Sequence, residues 1–303
     1  MQLPAHVRRI IDERAEESGF AALERAATAM SDAYREGRAA RLGDRERTAA
    51  YLVTRMPATY AAAHAVLREL QGMPIASVLD VGAGTGAASL AARQWYPDAA
   101  VTMLERDTAL ANAARLWLPD AAIVPADISQ AALPPHDLVI AAYSLGEVGG
   151  SIWTRLWQAA RVALAVIEPG TPKGFALIRR IRAGLLEAGA RMVAPCPAET
   201  PCPMADPDWC HFAARVERSS IHRRIKHAEL GYEDEKFSYV AVAREAPPPL
   251  GARVIRRPQQ RPGLIVLETC TADGLRTQRV TRRDREAFRA ARHTGWGDRW
   301  GTV

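Results

Sequence analysis

The sequence predicts an α/β fold, a doubly wound and largely parallel sheet with an N-terminal helical cap and a small, basic, β-rich C-terminal module. Three observations predict it. From Ile75 onward, short apolar runs alternate with amphipathic stretches, the pattern of parallel strands joined by crossover helices. The first of those runs ends in a glycine-rich turn, VGAGTG, that opens a helix. Before Ile75 the apolar residues follow a helical period, and beyond residue 250 the composition turns proline- and arginine-rich with short β-type runs. The division expected is a helical cap over 1–72, a sheet domain over 73–246 with a cysteine-containing insertion at 195–212, and a module over 251–303.

In the cap, Val7, Ile10 and Ile11 begin a helix after Pro4, and Leu23, Ala26, Ala27, Met30 and Ala33 continue the period. Tyr60, His64, Leu67 and Leu70 form a further apolar face, on which His64 is expected as a packed histidine. Gly37, Gly43 and Pro57 punctuate the set. In the sheet domain ASVLDVG is a strand, GAASLAARQWY a helix, AAVTMLE a strand and TALANAARLWL a helix. AAIVPAD, DLVIAAY and FALIR are expected as further strands, with SIWTRLWQAARVALAVI (151–167) as one intervening helix. EKFSYVAVARE (235–245) is a strand and AREAPPPLGAR a proline-rich hinge. The remainder is a small β unit with a short helix around Glu286–Ala291.

The 48% hydrophobic content supports a real core. No apolar run has the length of a membrane span, and MQLPAHVRRIIDERAEESG lacks a signal-peptide core. A soluble protein of a reducing compartment is expected, with no membrane partner. The net charge of +6 is uneven: twelve of the 40 basic residues and five of the 34 acidic ones fall in 251–303, leaving 28 basic against 29 acidic elsewhere. A second basic run, RVERSSIHRRIKH, spans 215–227. Such runs are either solvated surface or a grip on a phosphate backbone, and their arginine bias favours the latter.

VLDVGAGTG (Val78–Gly86) carries a mechanism. Glycines let backbone N–H groups approach a ligand at a helix start. The spacing departs from G-x-G-x-x-G of dinucleotide sites and resembles the S-adenosylmethionine loop of class I methyltransferases. That resemblance covers about residues 70–245. It implies a Rossmann-like methyltransferase sheet and a cofactor site of Asp80, Gly82, Ala83, Gly84 and Gly86, with Glu105 for the ribose hydroxyls and Asp127 for the adenine amine. The fourth strand offers Tyr143, Ser144 and Glu147 as catalytic candidates, or as residues that merely line the pocket. It lacks an Asn/Asp-Pro-Pro-Tyr motif, and no cysteine stands there as a nucleophile.

Three of the four cysteines, Cys196, Cys202 and Cys210, lie in CPAETPCPMADPDWC, and the fourth is Cys270. Four thiolates complete a shell for a tetrahedral zinc or an iron–sulfur cluster. Ordinary buried thiols, or a single nucleophile among them, are the alternatives; the polar, proline-laden setting favours four ligands. EPGTPKG (168–174), APCPAETPCPMADPDWCHF, SSIHRRIKHAELGYEDEKFSYVAVARE and WGDRW together resemble the methyltransferase-like family of mitochondrial small-ribosomal-subunit assembly proteins, in a bacterial form.

That resemblance implies a [4Fe–4S] cluster on Cys196, Cys202, Cys210 and Cys270. It also implies binding to the small ribosomal subunit and its 16S-type RNA through the Arg-rich patches 215–227 and 253–299, with a role in ribosome assembly and translation. The expected location is cytoplasmic, or the mitochondrial matrix in a eukaryote. An active rRNA methyltransferase is the alternative, and a small-molecule methyltransferase with a structural zinc a lesser one. A shared cluster would lock the module to the sheet domain and couple folding to metal binding.

Overall fold

The computed structural model describes residues 1–35, 43–148, 152–248 and 251–301. Gly37, and residues 249–250 of the proline-rich hinge, lie outside them. The cap is four helices: α1 (Ala5–Ser18), α2 (Phe20–Arg35), α3 (Asp44–Thr54) and α4 (Met56–Leu67), closed by a 3-10 turn at Arg68–Leu70. Val7, Ile11 and Ala15 bury one stripe of α1 at four-residue spacing. Pro57 sits in the first turn of α4, where its missing N–H costs nothing, so it starts a helix instead of breaking one.

The sheet domain contains β1 (Ser77–Val81), α5 (Ala87–Trp95), β2 (Ala100–Leu104), α6 (Thr108–Ala114), β3 (Ala122–Val124) and β4 (His136–Ala142). Then come α7 (Leu145–Val148), α8 (Ile152–Ala159), β5 (Ala160–Pro169), α9 (Pro172–Glu187), β6 (Arg191–Ala194), β7 (Phe212–Glu217), α10 (Ser220–Ile225) and β8 (Tyr232–Ala243). The strand order is β3-β2-β1-β4-β5-β8-β6, with β7 also on β8. β1 to β5 are parallel, while β8 runs antiparallel to β5, β6 and β7. This is the class I methyltransferase sheet. Its order reverses between β1 and β4, which opens a crevice at their carboxyl ends.

Two elements differ from the sequence expectation. The stretch expected as one helix over 151–167 is helical only to Ala159, and Ala160–Pro169 is β5, an interior strand between β4 and β8. A continuous apolar run buried on both faces has no period that separates strand from helix. FALIR, expected as a strand, lies inside α9. Thr171 caps that helix by accepting from the Gly174 N–H at 3.1 Å, Pro172 begins it, and Phe175, Ile178, Ile181 and Leu185 bury a helical stripe.

The cap lies across α5 and β8. Tyr96 Oη donates to the Leu70 carbonyl at 2.6 Å and Trp95 Nε1 to that of His64 at 3.1 Å. His64 packs between Tyr60 and Trp95, the packed role expected of it.

The C-terminal module is a five-stranded sheet of β9 (Ala252–Val254), β10 (Gln259–Arg261), β11 (Leu264–Thr271), β12 (Gly274–Thr281) and β13 (Arg299–Trp300), with α11 (Arg285–His293) packed on it. Ile265, Leu267, Val280 and Ala291 form its own small core. A second apolar cluster, Phe175, Met204 and Ile255, joins α9, the 195–212 insertion and the module.

Candidate functional site

At the carboxyl end of β1 the backbone makes a tight loop. Gly82, Gly84 and Gly86 all have positive φ, +72°, +55° and +72°, where only glycine is unstrained. The N–H groups of Gly82 and Ala83 donate to the Leu104 carbonyl at 2.9 and 3.1 Å, which fastens the loop to the end of β2. A Cβ on Gly82 would lie 2.6 Å from Ser144 Cβ, so glycine is required for the close approach of β1 and β4.

Glu105, just past β2, points at this loop. Its carboxylate accepts from the N–H of Gly84 at 2.7 Å and of Asp107 at 2.8 Å. Asp80 is buried behind the loop and accepts from Ser89 N and Oγ at 3.0 and 2.7 Å, tying β1 to α5. Burial lifts its carboxyl to about 6, against the hydrogen bonds from Ser89. Asp127 follows β3 on the surface and holds Ser129 N and Oγ at 2.9 and 2.6 Å. The cap roofs the loop. The half-buried Tyr51 of α3 places its hydroxyl 3.7 Å from where a Gly84 Cβ would be, and Arg47 pairs with Asp107.

The catalytic candidates are engaged within the chain. Tyr143 has a φ of +58°, and its hydroxyl donates to Glu235 Oε1 at 2.9 Å. Burial, with Glu235 beside it, pushes this phenol far above its usual range. Ser144 Oγ donates to the Val81 carbonyl at 2.9 Å. The side chain of Glu147 lies outside the described residues. Glu168, at the end of β5, accepts from the Leu145 N–H at 3.0 Å.

Cys196, Cys202 and Cys210 on the β6–β7 connection and Cys270 on β11 all line one cavity of about 230 Å³. Phe175, Met204 and Ile255 form its apolar wall. Burial raises the thiols of Cys196, Cys210 and Cys270, the last to about 12, and neighbouring cysteines add to the shift. Among the described residues no three of His, Cys, Asp and Glu are set closely enough to hold one metal ion.

Two buried arginines serve this cavity, and sequence reasoning singled out neither. Arg182 donates from Nε to Cys196 Sγ at 3.2 Å and from Nη2 to the carbonyls of Ala198 and Thr200 at 2.7 and 2.8 Å. Its signal was its place in the buried stripe of α9, between Ile181 and Leu185. Arg253 of β9 is 1% exposed. It donates to the Pro195 carbonyl at 3.1 Å and holds both Glu69 oxygens, at 2.9 and 3.1 Å. Arg299 adds a bond to Glu69 at 3.0 Å. An arginine inside the apolar run ARVI was the available signal for Arg253; nothing near Glu69 announced its partner. An aromatic stack also spans the joint, Trp209 on His211 at 5.2 Å and His211 against Trp296 at 4.9 Å.

The basic patches divide. Arg215 and Arg257 share Asp234, Arg218 binds Glu233, Arg256 binds Asp208, and Arg253 and Arg299 bind Glu69. These arginines of 215–227 and 253–299 are held by carboxylates of the chain itself.

A family model described as "Rsm22: Mitochondrial small ribosomal subunit Rsm22" matches residues 45–301. The chain is 26% identical over 289 residues to the ribosome assembly protein METTL17, mitochondrial, of Homo sapiens, covering 82% of this chain and 61% of that protein. It is 24% identical over 319 residues to the Rsm22-cox11 tandem protein 2, mitochondrial, of Schizosaccharomyces pombe, covering 82% of this chain and 42% of that one. The chain therefore spans less than two thirds of the length of either relative. Among solved structures it is similar to the precorrin-6y C5,15-methyltransferase of Geobacter metallireducens, with a TM-score of 0.40, 16% identity, and 60% and 86% of the two chains covered. For a SAM dependent methyltransferase from Aquifex aeolicus the TM-score is 0.38 and the identity 18%, over 64% of this chain and 95% of that one.

Proposed function

The chain belongs to the Rsm22 family, and from that premise we propose that it is an S-adenosylmethionine-binding, methyltransferase-fold protein that carries a [4Fe–4S] cluster, binds small-subunit ribosomal RNA and assists ribosome assembly and translation. One observation carries the reading: thiols from two separate sheets, Cys196, Cys202 and Cys210 beside one and Cys270 in the other, line a common cavity. Four soft thiols match the donor set of a cluster. They line a cavity of about 230 Å³ between the two sheets. When bound, the cluster supplies cationic iron that keeps the four thiols deprotonated and cross-links the joint. Arg182 donates a hydrogen bond to Cys196, and its charge offsets the thiolate there.

The glycine loop, residues 82–86, would lie along the cofactor where the absence of side chains allows close approach, with Glu105 toward the ribose and Asp127 toward the adenine. Asp80, fixed on Ser89, supports the loop from behind. The hydroxyls of Tyr143 and Ser144 donate hydrogen bonds to Glu235 and to the Val81 carbonyl. Neither is left as an open acid or base, which favours a binding protein over an rRNA methyltransferase. No described helix is long and apolar enough to cross a membrane. Reducing conditions, in a bacterial cytoplasm or a mitochondrial matrix, suit an iron–sulfur protein.

The test is anaerobic purification with measurement of iron, acid-labile sulfide and visible absorbance. Iron and sulfide in equal amounts with a broad brown absorbance are expected, and Cys270→Ser abolishes them. Stoichiometric zinc, or no metal at all, overturns the cluster. A ribosomal RNA methyl mark that disappears with Gly82→Ala while assembly proceeds would replace the binding reading with the enzyme.

A further inference from the structure

The arginines of the C-terminal module fall into two classes. Those near the joint are spent on carboxylates of the chain, as described above. Arg261, Arg276 and Arg279 are exposed and in no ion pair among the described residues, and the segment RRDREAFRAAR (282–292) concentrates five more: Arg282, Arg283, Arg285, Arg289 and Arg292 are all exposed, and among the described residues none is ion-paired. Arg282 lies only over the Phe288 ring, at 6.0 Å from its centroid. Of the two acids in the segment, Asp284 caps the helix by accepting from the Ala287 N–H at 3.0 Å.

The fold explains the apolar half of α11 and leaves the basic half without structural work. Ala287, Phe288 and Ala291 pack on Ile265, Leu267 and Val280. Arg285, Arg289 and Arg292 recur at four and three residues, so they share one face within about 60° at 3.6 residues per turn. Three arginines crowd the start of this helix, Arg282, Arg283 and Arg285, where the helix dipole disfavours cations. The acids of that turn, Asp284 at the cap and Glu286, offset only part of this charge. An unpaired guanidinium stripe of this kind fits the spaced anions of a polynucleotide backbone, with forked donors that match phosphate geometry.

We infer that the α11 corner, Arg282 to Arg292, is the surface that grips RNA phosphates, and that the ion-paired arginines of 215–218 and 253–257 are structural. The inference rests on the RNA-binding reading proposed above and narrows it to one face.

The experiment compares two variants of the full chain that remove equal charge. Arg285→Gln/Arg289→Gln/Arg292→Gln strips the stripe; Arg191→Gln/Arg215→Gln/Arg257→Gln strips three exposed arginines that are paired to Glu199 and Asp234. Binding of a short RNA hairpin and of a single-stranded oligouridylate is followed by fluorescence anisotropy across a salt series. Loss of three phosphate contacts flattens the dependence of log affinity on log salt by about 2 to 3 units. That flattening is expected for the stripe variant, with less than about 1 unit for the other. Arg285→Lys/Arg289→Lys/Arg292→Lys keeps the charge and helix propensity and so retains the slope, which separates lost contact from a damaged helix. Equal effects of the two charge-stripping variants, or a slope untouched by the stripe variant, overturn the inference. A wild-type chain that binds neither RNA overturns the RNA reading itself. RNA binding that survives in the stripe variant while association with the small subunit fails would assign the corner to a protein partner and overturn the phosphate grip.

Discussion

Glu69→Gln is the most informative single change outside the cysteines. Arg253 and Glu69 have side chains only 2% and 6% exposed, and the pair is bidentate. Gln keeps the shape but leaves Arg253 a buried cation without a counter-charge, and frees Arg299 as well. Removing one member of a buried pair costs about 3–5 kcal/mol. Unfolding entropy of about 2.1 cal/mol/K per residue gives about 0.6 kcal/mol/K for a chain of this length, so the melting temperature should fall by about 5–8 °C. Calorimetry reads the shift, and hydrogen exchange should show residues 251–301 opening first. Glu69→Leu/Arg253→Met, which replaces both charges by apolar volume, recovers most of the loss.

The pH dependence has a definite sign. Burial pushes the Glu69 carboxyl up, but its arginine partners outweigh burial and hold it below its ordinary value of 4.5. A carboxyl depressed in the folded state stabilises above its unfolded pKa and loses that contribution as pH falls through the folded one. The gap between wild type and Glu69→Gln therefore closes on acidification below about pH 4.5. A melting shift under about 1 °C at neutral pH, or a gap that widens in acid, would refute the account of the joint.

Two further outcomes follow from the sites. Gly82→Ala puts a methyl 2.6 Å from Ser144 Cβ at a φ of +72°, so β1 and β4 must separate; titration calorimetry should show S-adenosylmethionine affinity reduced by at least about tenfold. Gly84→Ala meets only the Tyr51 hydroxyl at 3.7 Å and should cost less; the reverse order would misplace the pocket. Arg182→Gln removes a cation at 3.2 Å from Cys196 Sγ. With the cluster bound, its reduction potential should drop, because a nearby cation favours the more negative reduced state; an unchanged potential in spectroelectrochemistry counts against that contact.

What was legible in the sequence depended on whether the signal was local. The β1 strand, its glycine loop and α5 are specified within residues 77–95, where a β run, three glycines and a helical stripe follow one another, and these elements form as expected. The swap at 160–187 came from the converse case. RVALAVI is apolar at every second and every third position alike, and only its burial on both faces of the sheet decides for a strand. The cysteines stood out because a chain that otherwise lacks them concentrated three in one loop. The fates of the twelve arginines were illegible. The apolar run ARVI hints that Arg253 is buried, but only folding brings Glu69, 184 residues away, onto it and leaves Arg282 in solvent.

The thiols were expected to lock the module to the sheet domain, yet the structure gives that joint supports that need no sulfur. Arg253 pairs across the β9–β11 ladder with Cys270 and donates to the carbonyl of Pro195, the residue before Cys196. One guanidinium thereby fixes the strand of the fourth thiol against the loop of the first. The Trp209–His211–Trp296 stack and the Phe175–Met204–Ile255 cluster hold the same joint. Because burial keeps the Cys196, Cys210 and Cys270 thiols protonated when no cation neutralises them, their proximity brings no charge repulsion. The cavity is thus shaped by an ion pair and by apolar packing, before any thiol ionises. A zinc finger, whose fold waits for its metal, works in the opposite order.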